Sequence, residues 1–324
     1  MPSSPDEAGK APSSLLSWLI EPRDIALLGE LSILAVMSWL LPERSWDPLS
    51  HRLAALRQLI RRDLAPRAAH ADAILKGRVR ADLLGQVLSN LDANTYLERL
   101  QLLRVHRPGG WTPRIRLEGG PTIEESLEAG SGVILWVTAF SFHRQCTKMA
   151  LWDAGYRVTH LSRYNHGFQS FSRFSERCLN PLRTAAESRF LYERLVIERN
   201  GATDVLSLLA KRLSRNEIVS ITVGSEARRV SAVPFLNGVL ELAGGPLHLS
   251  YKSGAPLLPV FTVREPDGGF TTTVEPPLNI DRGVNPDEVI AGALRAYVRR
   301  LEAYALRYPD QFAWHEVQRE SSSL

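Results

Sequence analysis

Five consecutive apolar residues, Val133-Ile134-Leu135-Trp136-Val137, follow Gly130 and Gly132 and run into a polar, histidine-bearing stretch, Thr138 to Lys148. The run is too short for a core helix and is rich in β-branched and aromatic residues, so it reads as a strand. With no polar alternation, both of its faces must be covered, as happens in the parallel sheets of α/β proteins. In an open sheet of that kind, ligands bind in the crevice beyond the carboxyl ends of the strands. His143, flanked by Arg144 and near Lys148, follows one such end and is expected at the crevice. A histidine's ordinary pKa suits base work near neutrality.

Downstream, strands and helices alternate. Helices are predicted over 121–129, 147–154, 204–213, 240–252 and 285–308, the last capped through Asn285, Pro286 and Asp287. Strands are predicted over 114–118, 156–161, 218–223, 256–263 and 270–274. This order predicts an α/β fold, a mostly parallel central sheet with helices on both faces. Residues 48–105 carry leucines at helical spacing and form a helical lead-in to the α/β domain, which together occupy 48–324.

The N-terminus divides differently. Residues 1–14 are Ser/Pro-rich and read as a mobile end. Residues 15–47 are strongly apolar but interrupted by Glu21, Arg23, Asp24 and Glu30, and Arg44, Arg52, Arg57, Arg61, Arg62 and Arg67 follow. The uninterrupted part is short for a spanning helix. The pattern predicts an N-terminal helical membrane-associating region, an amphipathic or shallow anchor before a basic helix facing anionic lipid. The alternative is an apolar helix packed on the main domain with a solvated arginine face.

Composition excludes less than the patterning does. A chain of 324 residues, 44% hydrophobic and 23% charged, can bury a full core. The net charge of +4 fits an anionic substrate or lipid. Nucleic acid is not an expected partner, because basic residues are mixed with acids and the aromatics are not interleaved on a strand surface. Two cysteines, Cys146 and Cys178, make neither a disulfide framework nor a metal site, and fit a reduced compartment. No metal-ligand spacing and no glycine-rich nucleotide fingerprint is present, so no cofactor is expected.

A second constellation follows the strand at 218–223. Gly224-Ser225-Glu226-Ala227-Arg228-Arg229 combines a small-residue turn, a carboxylate and two guanidinium forks suited to an anionic group. A solvated surface loop is the plainer reading, but the loop and the His143 turn both follow parallel strands and share one sheet edge.

Several blocks in this order resemble one family. They are Thr138-Ala139 after the strand; His160-Leu-Ser-Arg163-Tyr-Asn165 with Arg173; Val233 to Gly238; Gly254 to Phe261 with Arg264; and Tyr308-Pro309-Asp310-Gln311-Phe-Ala-Trp314. From about residue 118 to 316 the chain resembles the lauroyl/myristoyl acyltransferases of bacterial lipid A synthesis, within the glycerolipid acyltransferase superfamily. Glu226-Ala-Arg228-Arg229 is similar to the superfamily's Glu-Gly-Thr-Arg motif. The resemblance implies a fatty acyl thioester donor, on acyl carrier protein or coenzyme A, and a membrane lipid acceptor offering a hydroxyl or amine. It also implies a place on the cytosolic face of a bacterial inner membrane.

The family's hallmark is a histidine, four residues, then Asp or Glu. Here Phe140 stands at the histidine position and Gln145 at the carboxylate position; the literal spacing recurs only at His315 and Glu320. Two accounts follow. In one, His143 is the general base with Glu226 as its carboxylate, and Arg144, Lys148, Arg163, Arg228, Arg229, Asn237 and Gly238 bind substrate. In the other, the protein binds lipid or acyl carrier without transferring anything.

Overall fold

The computed structural model describes residues 19–168, 172–197, 203–225 and 230–319. Residues 1–14 therefore lie outside it, as do Glu226, Arg228, Arg229 and Glu320. The chain enters through α1 (Pro22–Leu40), α2 (Trp46–Arg61), α3 (Leu64–Leu75) and the long α4 (Ala81–Val105). There follow β1 (Ile115–Glu118), α5 (Gly120–Glu128), β2 (Val133–Val137), α6 (His143–Asp153) and β3 (Val158–Arg163). Then come α7 (Asn180–Ser188), β4 (Glu193–Ile197), α8 (Thr203–Leu213), β5 (Ile218–Thr222), β6 (Val230–Phe235) and β7 (Gly238–Ala243). The chain closes with α9 (Gly245–Ser253), β8 (Leu257–Arg264), β9 (Phe270–Val274), α10 (Pro286–Arg307) and β10 (Val317–Arg319).

Among the described residues one sheet has seven strands in the order β1-β9-β8-β2-β5-β3-β4. The strands β8, β2, β5, β3 and β4 run parallel, so their carboxyl ends share one edge. At the far side β9 is antiparallel to β8, and β1 runs alongside β9. The apolar run of β2 sits near the centre, buried on both faces. Its side chains alternate as the pleat requires. Ile134 and Trp136 join a cluster with Leu257, Phe261 and the α10 residues Leu294 and Tyr297, while Val133, Leu135 and Val137 join another with Leu258 and Val260. Trp136 lies against Tyr297 with ring centroids 4.3 Å apart. Each fully buried aliphatic side chain here contributes about 1.5–3 kcal/mol relative to exposure, which is why this strand organises the sheet.

A second, antiparallel sheet has the order β10-β7-β6. It corrects the helix expected over 240–252: Leu240 to Ala243 pair with β6, and only Gly245–Ser253 are helical. Leu240 and Leu242 are buried and alternate with half-buried Val239, Glu241 and Ala243, which is a strand period and not a helical one.

The expected membrane-associating region is also corrected. No described helix is long and apolar enough to cross a membrane. Instead α1 docks on α4. Leu31 and Leu34 are buried in a cluster with Leu97, Leu100 and Leu103. Glu30 is paired with Arg99, Trp39 Nε1 donates to the Leu103 carbonyl at 3.1 Å, and Arg104 donates to the Ser38 carbonyl at 2.6 Å. Asp24, one of the charges interrupting the apolar stretch, is buried and accepts from the Glu21 amide at 2.8 Å and from the Ser172 hydroxyl. Glu30 thus ties α1 to α4, and Asp24 ties the start of α1 to Ser172. The inner-membrane placement falls with the same finding.

Candidate active site

The hallmark turn is built as follows. At the end of β2 the Thr138 amide donates to the Val260 carbonyl at 2.8 Å, and its hydroxyl meets the Tyr297 hydroxyl at 2.9 Å. The chain then dives inward. Phe140 is 1% exposed and packs its ring among Phe261, Tyr304 and Phe312. Phe142 takes a left-handed conformation, φ 69°, which costs a side-chain-bearing residue about 1–2 kcal/mol. Its amide donates to the Glu98 carboxylate of α4, and its ring packs on Phe270. His143 then opens α6. Gln145, at the hallmark carboxylate position, is buried, and neither amide atom has a hydrogen-bond partner among the described residues.

His143 is buried, and its Nδ1 bonds the carbonyl of Phe140 within its own turn. A carbonyl only accepts, so Nδ1 carries the hydrogen and Nε2 the lone pair. Burial, then the neighbouring Arg144, pushes the ring well below the ordinary histidine range. It lines a small cavity between α6 and the sheet together with Val137, Thr147, Lys148, His160 and Ser220. His160 is buried too, with Nδ1 2.8 Å from the Ser220 hydroxyl, and burial likewise pushes it well down.

One turn along α6 the structure holds an arrangement that motif spacing did not reveal. Glu187 on α7 is completely buried. Its carboxylate accepts from Lys148 Nζ at 3.1 Å, from Arg194 Nη2 at 3.2 Å, and from His166 Nε2 at 3.0 Å to each oxygen. Burial alone would raise its pKa, but Lys148, His166 and Arg183 outweigh that and hold it well below the usual carboxylate range. Lys148 also donates to the Arg144 carbonyl at 2.6 Å, and Arg194 to the Ser162 hydroxyl at 2.8 Å. Arg183 is buried over the Phe168 ring, and burial lowers its pKa to about 10. His166 stands in the turn after β3, its side chain 23% exposed. Burial pulls this ring below the ordinary value, against Glu187, which pulls upward.

The described residues singled out by sequence therefore fall in two places. His143 and Lys148 are together, with Arg144 beside them 3.9 Å from Glu98, and exposed Arg163 ends β3 on the same edge. Glu226, Arg228 and Arg229 lie outside the described residues. Asn237 lies in the β6–β7 turn and Gly238 opens β7. The Asn237 side chain donates to the Ile74 carbonyl of α3 at 2.8 Å, and a Cβ on Gly238 would stand 2.5 Å from the Gln318 carbonyl oxygen. Both residues hold the second sheet in place. Among the described residues no group of His, Cys, Asp and Glu could hold a metal ion.

Glu187 and His166 are 21 residues apart, a separation no motif marks. The available signal is on α7: Asn180, Arg183 and Glu187, at helical spacing, form a buried polar stripe on a helix whose inner face should be apolar. Buried charges of this kind must be paired.

The family model for bacterial lipid A biosynthesis acyltransferases matches residues 102–318 of the chain, from the end of α4 through the whole central sheet into β10. Among curated proteins, none matches the chain.

Proposed function

The chain belongs to the bacterial lipid A biosynthesis acyltransferase family, and on that premise we propose that it moves a fatty acyl group from an acyl thioester to a hydroxyl or amine of a lipid acceptor. Family membership supports acyltransferase-type activity in general. The thioester donor, on acyl carrier protein or coenzyme A, and the lipid acceptor are the finer reading. The observation that carries it is the extent of the match, which takes in every strand of the parallel sheet and hence its entire carboxyl edge. The reaction needs a base to take the proton from the attacking hydroxyl or amine. An imidazole on that edge can supply it, from the turn after β2 or from the turn after β3.

A second reading is a lipid- or carrier-binding protein that transfers nothing. One observation favours it: both hallmark positions, Phe140 and Gln145, are buried and neither titrates. Incubating the purified protein with a labelled acyl thioester and a total lipid extract separates the two. Label in a lipid is the expected result. Label that stays on the thioester while the protein binds it would establish the second reading instead.

A further inference from the structure

On the premise that the protein transfers acyl groups, we infer that the general base is His166, with Glu187 as its positioning residue. The turn after β2 offers a poor base. Phe140 is sealed among aromatic rings, Gln145 does not ionise, and His143 commits Nδ1 to its own turn, with no described carboxylate bonded to its ring. His160 is buried beneath α6 on a serine hydroxyl. Among the described residues His166 is the one histidine whose ring is bonded to a carboxylate.

The pairing fixes the tautomer. Ionised Glu187 only accepts, so Nε2 carries the hydrogen, and the lone pair of the neutral ring lies on Nδ1, which has no described partner. A carboxylate behind an imidazole orients the ring and stabilises the imidazolium as it forms. The support is rigid. Lys148 and Arg194 hold the carboxylate from two other elements. The turn is tied to α7, because Gly167 passes so close to Asn180 that a Cβ would stand 2.2 Å from its Oδ1, and that oxygen accepts the Phe168 amide at 3.0 Å. The placement also suits the reaction. β3 runs parallel to β5 and β5 to β2, so the turn bearing His166 opens on the same edge as the hallmark turn. The ring is the most open member of the group, beside exposed Arg163 and Tyr164.

In the reaction Nδ1 takes the proton of the acceptor hydroxyl as its oxygen bonds to the thioester carbonyl carbon. The tetrahedral adduct then collapses with cleavage of the C–S bond. The departing thiolate takes the proton back from the imidazolium, leaving an ester, a free thiol and a neutral ring.

The test compares full-length wild type, His166→Gln, His166→Ala, His143→Asn and Glu187→Gln with the same labelled thioester and lipid extract, alongside thermal unfolding. His166→Gln is expected to lose about 10²–10⁴-fold in kcat with little change in Tm. Imidazole in the buffer should restore part of the rate to His166→Ala. Glu187→Gln leaves buried cations uncompensated and threatens the fold, so His166→Gln carries the decision; where Glu187→Gln folds, the acid limb of its kcat/KM profile should move. Full-rate transfer by His166→Gln overturns the assignment, and so does a loss confined to His143→Asn. If no form transfers label, wild type included, the acyl-transfer reading itself fails and takes the assignment with it.

Discussion

His143 and His160 illustrate how burial sets the chemistry of a single side chain. Both rings are enclosed between α6 and the sheet, near Lys148, and burial pushes both well below 6.5. The unfolded chain takes up protons at these positions below about pH 6.5, whereas the folded protein does not. The unfolded state therefore binds more protons in that range, so stability is complete above it and declines as the pH falls. We expect urea unfolding to show a loss of about 1.4 kcal/mol per pH unit for each silent ring on acidification through this window. His160→Asn should remove one ring's share. A flat profile would mean that the folded protein protonates these histidines after all. Glu187 adds to the decline at lower pH, since its own stabilisation is present above 4.5 and is lost as the pH falls through its folded value.

At the level of the element, the turn between β2 and α6 is built around an aromatic plug. Introducing the family's pair with Phe140→His and Gln145→Glu would place an imidazole among the rings of Phe261, Tyr304 and Phe312, whose one hydroxyl, on Tyr304, already donates to Glu275 at 3.0 Å. We expect the double variant to lose about 2–4 kcal/mol in denaturant unfolding, the cost of a lost buried ring contact plus unmet polarity. An unchanged midpoint would show that the turn accommodates the family's pair. How much of these elements was legible in the sequence depends on where their determinants lie. β2 was legible because a continuous apolar run between glycines and a polar turn has few other fates. The start of α10 was legible because Asn285 caps it locally, its side chain accepting from the Asp287 amide at 2.9 Å. Leu240 to Ala243 of β7 read as helix because these apolar residues lead straight into α9. The hub at Glu187 was invisible because its partners come from α6, the turn after β3 and β4, and only the folded sheet brings them together.

Across the whole molecule, the helical layer in front of the sheet explains why an apolar N-terminal stretch invites a membrane reading. One side of α1 packs on α4 through Leu31 and Leu34, while Ile33, Val36 and Leu40 face outward. Sequence alone reports total apolarity and cannot tell the side that packs from the side that does not. Leu34→Ala should cost about 2–5 kcal/mol in unfolding free energy, and Ile33→Ser no more than about 0.5 kcal/mol. Equal losses would mean that both sides of the helix are covered in solution. At this scale Glu187 also has a consequence for how such chains diverge. Lys148 and Arg194 lean their positive charges on one acid from two separate elements, so losing it would strand cations in the interior, whereas the partly open ring of His166 can change with little harm to the architecture. A descendant that gave up chemistry would shed the imidazole first and keep the acid, and that asymmetry would remain readable long after turnover had ceased.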